Sequence, residues 1–80
     1  MSDISVRQTQ LLKAVVEEYI KTAKPVGSEN LVEKYNLQIS PATVRNEMAK
    51  LIELGYLKQP HTSAGRAPTS TGLRTYLNKL

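Results

Sequence analysis

The stretch Ser40-Pro41-Ala42-Thr43-Val44-Arg45-Asn46-Glu47-Met48-Ala49-Lys50-Leu51-Ile52-Glu53-Leu54-Gly55 decides how this chain folds. Both of its ends are marked. A serine at position 40 can accept from the free amides of a first helical turn, and Pro41 fits the first helical position, where an N–H would have had no partner. Gly55 marks the stop, because glycine readily takes the left-handed conformation that closes a helix. Between these ends Val44, Met48, Leu51 and Ile52, with Leu54 beside them, recur at spacings of three and four and form an apolar stripe. Thr43, Arg45, Asn46, Glu47 and Lys50 cover the rest, so Ala42, Thr43, Asn46 and Lys50 make an outward face. Small, amide and cationic side chains near a helix N-terminus suit insertion into a major groove. The same pattern also describes an ordinary amphipathic surface helix, and this helix alone does not separate the two.

Its neighbours do. Upstream, Ser28 reads as the cap of a short helix over 29–35, with Leu31, Val32 and Tyr35 facing inward. Asn36-Leu37-Gln38-Ile39 is a turn held by two apolar side chains, so helix, turn and helix fill residues 28–54. Downstream, Tyr56-Leu57-Lys58-Gln59 ends at Pro60, and Arg66-Ala67 ends at Pro68. These read as a hairpin with strands near 56–59 and 66–68, and a polar tip of His61, Thr62, Ser63, Ala64 and Gly65. A hairpin directly after such a helix is a wing, and Arg66 at its base or tip is placed to reach phosphates or the minor groove.

The first helix spans 6–22, with a capping box from Ser5 and Gln8 and a stripe of Leu11, Leu12, Val15, Val16, Tyr19 and Ile20. Glu17, Lys21 and the other polar residues form its solvated face. Pro25 breaks it, and Val26 reads as a very short strand. Thr69 is the candidate cap of a last helix over 70–79, weakened by Gly72, with Leu73, Tyr76, Leu77 and Leu80 as its apolar face. The fold expected is mainly α with a small β-hairpin: a winged helix-turn-helix with a three-helix core, a wing and an additional C-terminal helix, all in one domain over 1–80.

Charge distribution points the same way. The formal net charge is +4, yet residues 1–39 hold five cations and five acids, so the whole excess falls in 40–80. There Arg45, Lys50, Lys58, Arg66, Arg74 and Lys79 face only Glu47 and Glu53. A basic half beside a neutral half fits an anionic partner, most commonly a nucleic-acid backbone. Cysteine is absent, which excludes a disulfide framework and thiolate metal ligands. His61 is the one histidine, and without clustered acids it makes no metal site. No serine has a base and an orienting acid nearby, so neither an enzyme nor a cofactor is expected. Tyr19, Tyr35, Tyr56 and Tyr76 fall on apolar faces and read as packing residues, not as a platform for stacking bases. No apolar run reaches membrane-spanning length and no signal-peptide pattern opens the chain, so a soluble, cytoplasmic protein is expected.

Taken together, Ser40 to Met48, then Leu54-Gly55-Tyr56-Leu57, then Pro60-His61-Thr62-Ser63-Ala64-Gly65-Arg66, closely resemble the N-terminal DNA-binding domain of the HrcA family of bacterial heat-inducible transcription repressors. Arg7-Gln8, Tyr19-Ile20, Pro25-Val26-Gly27-Ser28, Pro68-Thr69 and Gly72 look like that family too, so the match runs along essentially the whole chain. The resemblance implies a DNA-binding repressor of chaperone genes that acts as a dimer on an inverted-repeat operator and responds to heat through the chaperonin system. Family members are several times longer. This chain is therefore expected to be the N-terminal part of a longer repressor and to be monomeric by itself.

The expected contacts divide by chemistry. Thr43, Asn46 and Arg45 are candidates to read base edges of double-stranded DNA. Ser40, Ala42, Lys50, Lys58, His61, Thr62, Ser63 and Arg66 are candidates for its backbone. Two other readings use the same fold: a winged-helix protein-interaction module and an RNA-binding winged helix. The first would want an apolar or acidic outer face on the 41–54 helix, where the sequence has cations and small polar groups.

Overall fold

In the computed structural model, which describes residues 4–60 and 65–79, the chain runs α1 (Val6–Thr22), α2 (Ser28–Lys34), α3 (Pro41–Glu53), β1 (Leu57–Lys58), β2 (Ala67–Pro68) and α4 (Ser70–Lys79). Several helix ends have a local cause. At the start of α1 the Gln8 amide donates to Ser5 Oγ at 3.1 Å, and the Ser5 amide donates back to Gln8 Oε1 at 3.0 Å. This is the reciprocal capping box expected from the sequence. Helix α1 ends at Ala23, in the left-handed region at φ 57°, where its amide donates to the Tyr19 carbonyl at 2.7 Å.

The last turn of α3 closes with the two bonds of a Schellman motif. The Gly55 amide donates to the Ile52 carbonyl at 3.0 Å and the Tyr56 amide to the Leu51 carbonyl at 2.9 Å. Gly55 takes φ 89°, a conformation that side-chain-bearing residues rarely hold. Helix α4 is capped by Thr69, whose Oγ1 accepts from the Gly72 amide at 3.0 Å and donates to the Gly55 carbonyl at 2.6 Å. One hydroxyl thus ties the end of α3 to the start of α4.

The core is built around α1, which packs against α2, α3, α4 and β2. Leu11, Leu12, Ala14, Val15 and Val16 of α1 meet Val26, Leu31, Val44, Met48, Leu51 and Leu57 in one cluster. Burying each large aliphatic side chain contributes about 1.5–3 kcal/mol. All four tyrosines pack on the edge of this cluster, as their apolar positions required. Strands β1 and β2 pair antiparallel, with Leu57 opposite Pro68 and Lys58 opposite Ala67. Val26 joins them through an isolated bridge to Arg66, with reciprocal amide-to-carbonyl bonds of 2.7 and 2.8 Å. The wing is therefore stitched to the segment before α2 as well as to itself.

Several expectations need correction. Ser28 does not cap α2; Gly27 is the N-cap, makes no side-chain cap bond, and Ser28 is already helical. The strands are shorter than expected, at two residues each, because the paired register ends at Lys58 and Ala67. Leu54 is 42% exposed, because the helix ends there and the chain turns away from the core. Leu77 is 77% exposed, since Leu73 and Tyr76 take the inward positions of α4. Ile20 is 61% exposed and Glu18 only 3%, the reverse of the expected arrangement in the last turns of α1. Two positions differ by about 200° on a helix, so an inward Glu18 sends Ile20 outward.

Glu18 is buried because it has partners. Lys34 Nζ lies 2.7 Å from Oε2, and the Tyr35 hydroxyl donates to Oε1 at 3.4 Å, so the carboxylate ties α1 to the end of α2. The Lys34 hydrogen bond holds the Glu18 pKa below its ordinary value, against the opposing effect of desolvation. A lowered carboxyl pKa stabilises the fold above the ordinary glutamate range, and that stabilisation is lost as pH falls through the lowered value. Lys34→Met should therefore move acid unfolding to higher pH, as followed by circular dichroism from pH 7 downward. An unchanged acid limb would mean that the pair contributes nothing.

Candidate nucleic-acid interface

The outward surface of α3 follows from what the core takes. Val44, Met48 and Leu51 are buried, so the opposite side presents Ala42, Asn46, Ala49, Lys50 and Glu53. At about 100° per residue, Thr43 and Arg45 fall on opposite flanks of that strip. Thr43 is half-buried, with its amide donating to Ser40 Oγ at 3.2 Å and its hydroxyl 3.1 Å from the same atom. Ser40 is exposed and caps α3 as expected. Arg45 is exposed on the other flank and lines a cleft with Val26, Gly27, Ser28, Met48, Gly65 and Arg66.

Glu47 is the only acid between Ser40 and Lys50, and it is drawn off this surface. Gln8 Nε2 donates to its Oε1 at 3.0 Å, and Arg7 lies 3.8 Å from its Oε2. The carboxylate is thereby held against the N-terminal turn of α1. What remains exposed on α3 from Ala42 to Lys50 is two alanines, an asparagine, an arginine and a lysine. Small residues let a helix backbone come close to a groove floor, an amide can pair with a base edge, and cations neutralise phosphates. Ala49, which the sequence reading left out of the face, sits seven residues from Ala42 and three from Asn46. That spacing was the available signal.

The wing contributes Lys58, exposed on β1, and Arg66, half-buried at the wing's base where it bridges Val26. His61, Thr62 and Ser63, the expected backbone contacts of the wing tip, lie outside the described residues. Among the described residues no cluster of histidine and acidic side chains could hold a metal ion, and no helix is long and apolar enough to cross a membrane.

A short helix and turn leading into a helix with a bare polar face, followed by a two-stranded hairpin, define a winged helix-turn-helix. The match to known proteins is more specific. Residues 3–79 match the family model of the winged helix-turn-helix transcription repressor, HrcA DNA-binding, and the chain belongs to that family. It is 58% identical over 77 residues to the heat-inducible transcription repressor HrcA of Desulforudis audaxviator, covering 96% of this chain and 22% of that protein. The corresponding protein of Symbiobacterium thermophilum is 57% identical over 74 residues, covering 92% of this chain and 22% of the relative. A crystal structure of a hypothetical protein superposes with a TM-score of 0.86 at 52% identity, over 91% of this chain and 24% of that one. The chain thus spans about a quarter of the length of the proteins it matches.

Proposed function

We infer that this domain binds duplex DNA, with α3 in the major groove and the wing base along the adjacent backbone, and that it is the DNA-reading part of a longer transcription repressor. The observation that carries this reading is the treatment of Glu47. The single acid between Ser40 and Lys50 is paired to Arg7 and Gln8 and turned away, leaving over those turns a surface of amide, methyl and cationic groups, with Glu53 exposed only at the far end of the helix. In this reading the regulated targets are heat-shock (chaperone) genes, the operator is an inverted repeat and the place of action is the cytoplasm; membership of a repressor family whose relatives are named heat-inducible supports it. Repression would follow from occupying the promoter. A protein that reads an inverted repeat must present two copies of the domain, one to each half-site. This chain alone should be monomeric and bind one half-site weakly, near the non-specific range of about 10⁻⁴–10⁻⁶ M. Dimer formation and any response to chaperonin belong to the rest of the longer protein.

The test is a shift assay with an inverted-repeat duplex, a scrambled duplex of equal length and double-stranded RNA, each at two salt concentrations. Preference for the inverted repeat over both competitors is expected. Equal binding to the RNA would favour an RNA-binding winged helix instead. Within the duplex, Asn46→Ala should lose roughly 1–3 kcal/mol of discrimination at one base pair while leaving the salt dependence alone. Lys50→Ala should weaken all sequences alike and reduce the salt slope by about 0.9. The reverse outcome, with Asn46 affecting every sequence and Lys50 only one, would exchange their roles.

A further inference from the structure

We propose that the cleft between α3 and the wing base binds a single backbone phosphate, gripped by Arg45 and Arg66 together, so that Arg45 is a phosphate ligand and not a reader of base edges. The proposal rests on the duplex-binding reading above and assigns one subsite within it. The cleft has a volume of about 190 Å³ and is lined by Val26, Gly27, Ser28, Arg45, Met48, Gly65 and Arg66. Two of these seven residues are arginines and none is acidic. Arg45 forms no ion pair among the described residues, and the Ser28 hydroxyl makes no hydrogen bond among them. Two arginines and a serine in one lining offer a donor set suited to the tetrahedral oxygens of a phosphodiester.

The position of Arg45 on α3 supports the assignment. Asn46 lies near the centre of the exposed strip, whereas Arg45 is displaced about 100° toward α2 and the wing. A side chain on that flank meets the rim of a groove sooner than its floor, and the rim is sugar and phosphate. The other side of the cleft is fixed by backbone. Arg66 exchanges two hydrogen bonds with Val26, at 2.7 and 2.8 Å, and this bridge brings the wing base against the entry to α2. Gly65 passes so close that an added Cβ would strike the Val26 carbonyl and lie 2.7 Å from the Gly27 nitrogen. The floor of the cleft is therefore set by the same contact that holds the wing.

The affinity of the 80-residue chain for a mixed-sequence duplex should be measured as a function of salt, for the wild type, Arg45→Gln, Arg66→Gln and the double variant. Sharing one phosphate predicts that the double variant reduces the slope of log K against log salt by about 0.9. A reduction of about 1.8 would place the two arginines on separate phosphates and overturn the shared site. So would an Arg45→Gln variant that binds the mixed-sequence duplex as tightly as the wild type and loses only its preference for the inverted-repeat over the scrambled duplex, because that marks a base contact. Arg66→Lys, with its fold checked by circular dichroism, covers the case in which Arg66→Gln does not fold. It should keep the slope, weaken binding through loss of the planar fork, and make Arg45→Gln less than additive; full additivity would count against the shared site. A wild-type chain that binds no duplex at low salt would refute the duplex reading instead. The cleft would then be judged by NMR titration with inorganic phosphate. Saturable shifts at the Arg45 and Arg66 Nε–H groups and at the Ser28 and Gly65 amides support it, and their absence overturns it.

Discussion

Gly65→Ala should destabilise the domain by on the order of 3–5 kcal/mol and lower its melting temperature by more than about 10 °C. The side chain gained is a single methyl, so the effect comes entirely from where it must go. A Cβ at this position collides with the carbonyl of Val26 and approaches the Gly27 nitrogen, both of them backbone atoms without rotamers to yield. Relief requires the Val26–Arg66 bridge to open, which loses two hydrogen bonds and separates the wing from the entry to α2. Overpacking in a tight site costs about 1–3 kcal/mol, and each net hydrogen bond adds about 1. Against a total of roughly 0.05–0.15 kcal/mol per residue, that is a large share of what holds a chain of this size folded. Gly27→Ser is the matched comparison. A Cβ at Gly27 meets nothing within 4 Å, and φ is −87° at this N-cap, so serine should fit and supply the missing cap. Thermal melts of both variants check the pair; an alanine at position 65 that melts with the wild type would show that the bridge is not needed.

The same contact shows what could be read in the sequence and what could not. Most helix ends were legible because their signals are local: Ser5 with Gln8, Ser40 with Pro41, Gly55, and Thr69 each act within about one turn, whereas α2 is capped one residue earlier than the expected Ser28. The apolar stripes of α1 and α3 were legible in their centres for a similar reason, since periodicity reports a face. Where a face ends is decided by neighbours, and there the reading failed. Ile20, Leu54 and Leu77 carry the right side chains at the right spacing but stand exposed among the described residues. Glu18 is the converse, a charged residue taken inside because Lys34 and Tyr35, some sixteen positions away, meet it there. Gly72 read as a weakness in α4, yet a Cβ there would strike the Tyr56 carbonyl, so glycine is what allows α4 to lie against the wing. The site followed the same rule. Asn46 and Lys50 were placed outward from spacing alone, whereas the grouping of Arg45 with Arg66 and the diversion of Glu47 to Arg7 depend on contacts across 20 or more residues of chain.

Leu51→Ala should cost about 2–5 kcal/mol of stability, the range for emptying a fully buried leucine site. Leu51 has no exposure to solvent and lies on the core side of α3, while its carbonyl accepts the Tyr56 amide at 2.9 Å in the turn that leads to the wing. The truncation therefore leaves a cavity at the joint between the reading helix and the hairpin. No atom of the proposed DNA surface is altered, because Asn46 and Lys50 project from the other side of the same helix. The two faces of α3 should consequently separate in experiment. Leu51→Ala should shift the urea midpoint strongly, and once binding is corrected for the folded fraction, affinity and salt slope should match the wild type. Asn46→Ala should leave the midpoint within about 0.5 kcal/mol, as surface substitutions generally do, and change only discrimination between duplexes. If the folded fraction of Leu51→Ala bound with altered sequence preference, the helix would not be a rigid presenter of its outer side chains. Its seating on α1 would then set the groove contacts, and the core beneath α3 would belong to the recognition surface as much as the face above it.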